Sequence, residues 1–142
     1  MPAGTTLDHV TIVTDDFEAS RAVYGPLLAA IGFTASVEYT DPEAEPDDPG
    51  TVAAIGYGWP DHRPALWLVA GVRPTSGAHC ALAVTDRSSV LAAHRAAVAE
   101  GVPVRQPPRT WEQDQLHYFG AQFLDPAGNL IEVLHGQPQP SR

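Results

Sequence analysis

The chain has 142 residues, enough for one domain or two very small ones, and on folding it can bury ~68–70% of its extended-chain surface. Hydrophobic residues make up 44% and charged residues 18%, which is too apolar for a disordered tail, and no apolar run approaches a membrane span. All eight cations are Arg against 17 acids, a net charge of −9 that repels phosphate backbones and argues against nucleic acid as a partner.

Cys80 is the only thiol, so an intramolecular disulfide and a cysteine-rich zinc cluster are excluded and a reducing compartment fits best. The start, Met1-Pro-Ala-Gly-Thr-Thr6, lacks the basic and apolar regions of a signal peptide. The expectation is a cytoplasmic protein with no membrane partner.

Taken in chain order, Leu7–Thr14 is rich in β-branched residues and reads as a strand, with His9, Thr11 and Val13 on one face and Val10 and Ile12 on the other. Asp15-Asp-Phe-Glu18 is a capping signal for a helix whose stripe is Phe17, Tyr24, Leu28 and Ile31. Gly25-Pro26 should interrupt or restart that helix, and Gly32 should stop it. Phe33–Tyr39 is the next strand, and the acidic, Pro-punctuated Asp41–Gly50 is a solvated connection. Thr51–Tyr57 and Ala65–Ala70 are two further strands around a turn-rich segment.

The second half repeats this order. Ala78–Thr85 is a strand with His79, Ala81 and Ala83 on one face, and Asp86 caps a helix with the stripe Val90, Ala93, Ala97 and Val98, ended at Glu100-Gly101. Val102–Arg105, Tyr118–Leu124 and Leu130–Leu134 complete the strands, the last two joined by the turn Asp125-Pro-Ala-Gly-Asn129. The tail from Gln137 carries no packing signal. The repeats span 7–71 and 78–136 of a single domain, and they place His9 and His79 70 residues apart at equivalent positions. Superposing Gly71 on Gly136 pairs Trp67 with Glu132.

The segments Leu7–Tyr24, Gly77–Val84 and Phe123–Val133, with their strand-borne histidines and Asp-Pro-Ala-Gly-Asn-Leu-Ile-Glu ending, resemble the vicinal oxygen chelate superfamily. That superfamily includes glyoxalase I, bleomycin-resistance proteins and extradiol dioxygenases. The resemblance runs from Leu7 to Gly136 and implies an α+β fold of two βαβββ modules forming a curved eight-stranded mixed sheet around a small-molecule site. It implies metal ligands at His9, His79 and Glu132. Two imidazoles and a carboxylate with open positions suit a divalent Fe, Mn, Ni or Zn ion binding substrate directly. Relatives resembling glyoxalase I carry a fourth ligand, Glu or Gln, where Trp67 stands, and its absence here argues against a simple isomerase. The expected activity is oxygenase-like or lyase chemistry on a small-molecule substrate chelated through adjacent oxygens. The alternative is metal-free sequestration of the bleomycin-resistance type.

Trp67 is either a core aromatic or a wall of the substrate pocket. His117 and Tyr118 are candidate proton-transfer residues, of which strand alternation turns only one inward; a surface His and a packed Tyr are the alternative. His62, His94 and His135 fall on a turn, a helix surface and a chain end. Arg109 and Trp111 lie on the connection Gln106–Leu116, read as a solvated loop that could cover the pocket, and Cys80 reads as a small core residue. No dinucleotide, Walker, serine-elbow or zincin motif is present. The edge strands at the module ends favour a homodimer.

Overall fold

The computed structural model describes residues 4–40, 52–113 and 116–136. The segment Asp41–Gly50 and the tail Gln137–Arg142 lie outside these residues. The elements are β1 (Val10–Thr14), α1 (Phe17–Ala29), β2 (Thr34–Thr40), β3 (Val52–Gly58), β4 (Leu66–Ala70), β5 (His79–Ala83), α2 (Arg87–Glu100), β6 (Val104–Gln113), β7 (Leu116–Leu124) and β8 (Leu130–Gly136). Each half is thus a βαβββ module, as the alternation of β-branched runs and capped helices suggests.

The eight strands form two four-stranded mixed sheets, ordered β1-β4-β3-β2 and β5-β8-β7-β6. In each, the first strand runs parallel to the last and the remaining pairs are antiparallel. Hydrogen bonding therefore divides the expected eight-stranded sheet at β1 and β5. The reason lies partly in the connection between modules: Thr75 donates to Val13 O at 2.8 Å and accepts from Val13 N–H at 2.9 Å, occupying the outer edge of β1.

Period-two alternation decides which face each strand buries. Ile12, Ile55, Tyr57, Leu66 and Leu68 of the first sheet share one buried cluster with Ala121, Phe123, Ile131 and Val133 of the second, and α1 and α2 contribute Tyr24, Leu27, Leu28, Val90, Ala93 and Ala97 to it. The modules meet through α1 and α2. The opposite faces carry His79, Ala81, Ala83 and Glu132 in one module and Thr11, Val13, Trp67 and Val69 in the other, and of these residues only Glu132 is fully buried.

Several local expectations change in the fold. The α1 cap is Asp16, which accepts from Ala19 N–H at 3.1 Å, because the helix begins at Phe17 and the residue just before it makes the bond. Pro26 does not interrupt α1: Pro26 removes only its own N–H bond, and the buried stripe Tyr24, Leu27 and Leu28 holds the helix together across the gap. In α2, Asp86 and the left-handed Gly101 cap the ends as expected, but Val98 is 63% exposed, since the buried row Val90, Ala93, Ala97 is satisfied one position earlier.

The largest difference is at Gln106–Leu116, which is a long hairpin arm and not a solvated loop. Strand β6 runs through Pro107 and Pro108 to Gln113, with pairing irregular between Gln106 and Arg109. An edge strand has only one paired side, so one of the two missing N–H groups faces no neighbour, and the irregular pairing between Gln106 and Arg109 accommodates the other before β6 resumes.

The turn Asp125–Asn129 is a structural hub. Buried Asp125 accepts from Ala127 N–H at 2.9 Å, Asn129 N–H at 2.8 Å, Asn129 Nδ2 at 2.8 Å and the Tyr24 hydroxyl of α1 at 2.7 Å. Asn129 in turn donates to Thr75 O at 2.7 Å and accepts from Ala78 N–H at 3.0 Å, fixing the entry to β5. Burial and the bond to Asp125 hold the Tyr24 phenol well above its ordinary range, so it remains a donor.

Candidate functional site

The second sheet presents a polar cluster on the face turned away from α2. Strand pairing sets Ala81 beside Glu132 and Gln122 across from it, and His79 lies two residues before Ala81 on the same face. His79 Nε2 donates to Glu132 Oε1 at 3.0 Å, while Gln122 Nε2 lies 3.4 Å from Glu132 Oε2. Arg105 completes the row by donating to Gln122 Oε1 at 3.1 Å. Glu132 is 3% exposed and Gln122 6%, whereas the His79 side chain is 53% exposed. A buried carboxylate is thus met by one open imidazole and one buried amide, and no cationic side chain other than a protonated His79 bonds to it.

Tyr118 shares this face, and His117 alternates away from it into solvent. Burial first, then the charge and hydrogen-bonding capacity of Glu132, push the Tyr118 phenol up, with Arg109 opposing. Behind Tyr118, the Trp111 ring stacks at a centroid distance of 6.0 Å and an angle of 14°, and the Arg109 guanidinium lies 3.7 Å above Trp111. A Cβ at Gly120 would lie 3.2 Å from Leu134 Cβ and 3.4 Å from the Tyr118 ring. The tightest approach is to Val133 O at 3.1 Å, so the glycine eases the close pairing of β7 with β8.

The first sheet offers matching positions with different chemistry. Thr11 pairs with Trp67 as Ala81 pairs with Glu132, so the indole and the carboxylate occupy corresponding places. Gly56 lies across from Trp67 where Gln122 lies across from Glu132. A Cβ on Gly56 would approach the indole to 3.1 Å and Pro64 to 2.7 Å, so Trp67 needs that glycine. Trp67 is half-buried and stacks on exposed Tyr39 at 5.8 Å and 11°. It lies outside the buried cluster, on the face away from α1.

His9 stands apart from His79 and Glu132. Its Nδ1 donates to Asp8 Oδ1 at 2.6 Å, and both side chains are about half exposed. Among the described residues no group of three or more His, Cys, Asp or Glu is arranged to hold a metal ion. His79 and Glu132 are brought together within the chain, and His9 lies just before β1 of the other sheet.

Of the remaining residues, His62 lies in an exposed turn with Nδ1 2.9 Å from Pro60 O, and His94 is half-buried on α2. His135 Nδ1 donates to Val84 O at 3.2 Å. Gln122 and Arg105 were not apparent as site residues in the sequence. A signal existed for Gln122, an amide at the position in phase with Tyr118 along an otherwise apolar strand. Cys80 packs partly buried against the core, and burial pushes its thiol up. Alkylation by iodoacetamide at pH 8 is therefore expected to be at least about tenfold slower in the folded chain than in urea, where the ordinary thiol pKa returns. Equal rates in the two states would contradict this packing.

The fold and the sequence agree with known proteins. The family model for the Glyoxalase/Bleomycin resistance protein/Dioxygenase superfamily matches residues 6–133. A glyoxalase/bleomycin resistance protein from Albidiferax ferrireducens is 22% identical with a TM-score of 0.68, covering 90% of this chain and 97% of that one. A second, from Catenulispora acidiphila, is 20% identical with a TM-score of 0.63, covering 92% and 96%. Lactoylglutathione lyase from Agrobacterium tumefaciens is 16% identical with a TM-score of 0.61, covering 94% and 96%. No curated protein matches the chain. Among the described residues no helix is long and apolar enough to cross a membrane. With two βαβββ modules and a family match over nearly its whole length, the chain belongs to the glyoxalase/bleomycin resistance protein/dioxygenase superfamily.

Proposed function

We propose that this protein is a divalent-metal-dependent enzyme that acts on a small molecule bound through two adjacent oxygens, with oxygenase-like or lyase chemistry. The observation that carries the reading is the buried Glu132 carboxylate with His79 Nε2 3.0 Å from Oε1. Two donors each ~2.0–2.2 Å from one ion at a right angle stand about 3 Å apart, so this pair fits neighbouring positions in a coordination sphere. The third ligand in the reading is His9. Because His9 lies at the entry to the other sheet and the modules meet through their helices, we infer that His9 of a second copy completes the set in a homodimer. Iron, manganese, nickel and zinc all suit two imidazoles and a carboxylate.

A bound divalent ion would supply Lewis acidity to the chelated oxygens. The chain's own residues define what surrounds them. Gln122, itself held by Arg105, orients Glu132. The raised Tyr118 phenol stays protonated and is placed to give a hydrogen bond, and through it a proton, to a substrate oxygen beside Glu132. In the dimer reading Trp67 comes from the second copy, on the same sheet as its His9, and having no ligating nitrogen it leaves one position free of protein and walls the substrate.

A second reading, metal-free sequestration of a flat ligand, is favoured by the stacked pairs Tyr39–Trp67 and Trp111–Tyr118 on the two sheet faces. Elemental analysis of protein purified without added metal separates the two. A stoichiometric first-row ion, with turnover of a catechol or α-oxo compound under air, supports the enzyme. Metal-free protein that binds an aromatic ligand tightly and shows no turnover after loading with Fe(II) or Mn(II) supports sequestration.

A further inference from the structure

The two histidines are each met by one carboxylate, but through different nitrogens and from different places in the repeat. His79 contacts Glu132 through Nε2, and the residue before it is Ala78. His9 contacts Asp8, the residue before it, through Nδ1, and its module has Trp67 where the other has Glu132. The acid missing from β4 is thus found on the strand entry that carries the histidine.

Asp8 does not act alone. Arg63, from the turn between β3 and β4, donates from Nη2 to Asp8 Oδ1 at 3.3 Å and places Nε 3.3 Å from Oδ2, an exposed ion pair with the carboxylate. The backbone on both sides is pinned. Val10 N–H donates to Ala65 O at 3.0 Å, and Ala65 N–H donates to Tyr57 O at 2.8 Å, so the segment after Arg63 is tied to the residue after His9. Exposed ion pairs of this kind add little to stability.

We propose that Asp8, held by Arg63, is the positioning residue of His9: it keeps the proton on Nδ1 and leaves Nε2 bare, with its lone pair directed away from the carboxylate. A carboxylate can only accept, so the ring nitrogen facing it must be the donor and the other nitrogen becomes the available ligand atom. Carboxylates that contact the far nitrogen of a ligating imidazole tune ligands in this way. The proposal rests on the reading of His9 as a metal ligand, but its first consequence, the tautomer, is measurable without metal.

The test uses the full-length protein with ¹⁵N-labelled histidine, observed by long-range ¹H–¹⁵N correlation at a pH where the rings are neutral, with the His9 signals assigned from His9→Gln. The wild type is expected to show His9 with Nδ1 protonated. Asp8→Ala should move the ring towards the Nε2-protonated form, Asp8→Asn should restore the wild-type form through its amide oxygen, and Arg63→Ala should fall between. A role confined to local folding would leave the tautomer unmoved. In the same samples, Mn(II) affinity should fall about 10–100-fold in Asp8→Ala. His9 protonated on Nε2 in the wild type, or the same tautomer in Asp8→Ala, would overturn the proposal. If the tautomer shifts as stated but Mn(II) leaves the His79 signals unbroadened, Asp8 keeps its role and the metal reading fails.

Discussion

Asp125→Ala is expected to remove about 3–5 kcal/mol of folding stability, measured as a lower urea midpoint at an unchanged m-value. The size follows from what the carboxylate satisfies. Four donors converge on it: the backbone N–H groups of Ala127 and Asn129, the Asn129 amide and the Tyr24 hydroxyl. Asn129 and Tyr24 are each 1% exposed, so water cannot replace the lost acceptor without opening the core. Buried donors left without partners cost about 1–3 kcal/mol each. Tyr24→Phe breaks only the bond from α1 and should cost about 1.5–3 kcal/mol, since the other three donors keep their partner. Equal losses in the two variants would mean that the turn itself contributes nothing.

Glu132→Gln has the opposite signature. A carboxylate in an almost fully buried position, met by a half-exposed imidazole at 3.0 Å, is a poor way to stabilise a fold. The amide has the same shape and still offers an oxygen to His79, and it removes the charge at the cost of the long 3.4 Å contact from Gln122 Nε2. Metal-free Glu132→Gln is therefore expected to be as stable as the wild type or more stable by up to about 2 kcal/mol. Its uptake of Mn(II) should fall at least about 100-fold, an effect of about 2.7 kcal/mol or more on binding. His79→Ala should lose uptake similarly, and the double variant should lose little beyond either one, because both act on one ion. A variant that loses stability and metal together would assign Glu132 to the fold.

Much of this was legible in the sequence because it depends on local chemistry. The Asp86 and Gly101 caps, the β-branched runs and the Asp125–Asn129 turn act within a few residues, and the repeat of strand, helix and three strands is visible in their order. The pairing of Trp67 with Glu132 by superposed glycines agrees with the strand registers. What was missed depends on partners distant in the chain. Pro107 and Pro108 read as a loop because their tolerance depends on β6 being an edge strand, which only the sheet order reveals. The Asp125 turn was visible as a turn, but its bond to Tyr24, 101 residues away, was not. Gln122 and Arg105 entered the site through cross-strand register, which single-strand alternation does not supply. The division into two sheets, with Thr75 on the outer edge of β1, depends on contacts that no single segment shows.

The central claim is that one ion is held by His79 and Glu132 of one chain and His9 of another, and complementation between inactive copies tests it most directly. His9→Ala and Glu132→Ala chains are each expected to bind less than a tenth of the wild-type Mn(II) in equilibrium dialysis, at a protein concentration where light scattering shows dimers. Mixed, unfolded and refolded together, they should regain about a quarter of the wild-type stoichiometry, since half of the dimers are mixed and each of those has one intact site. No recovery in dimers that have exchanged chains, or wild-type uptake by either variant alone, would contradict the account.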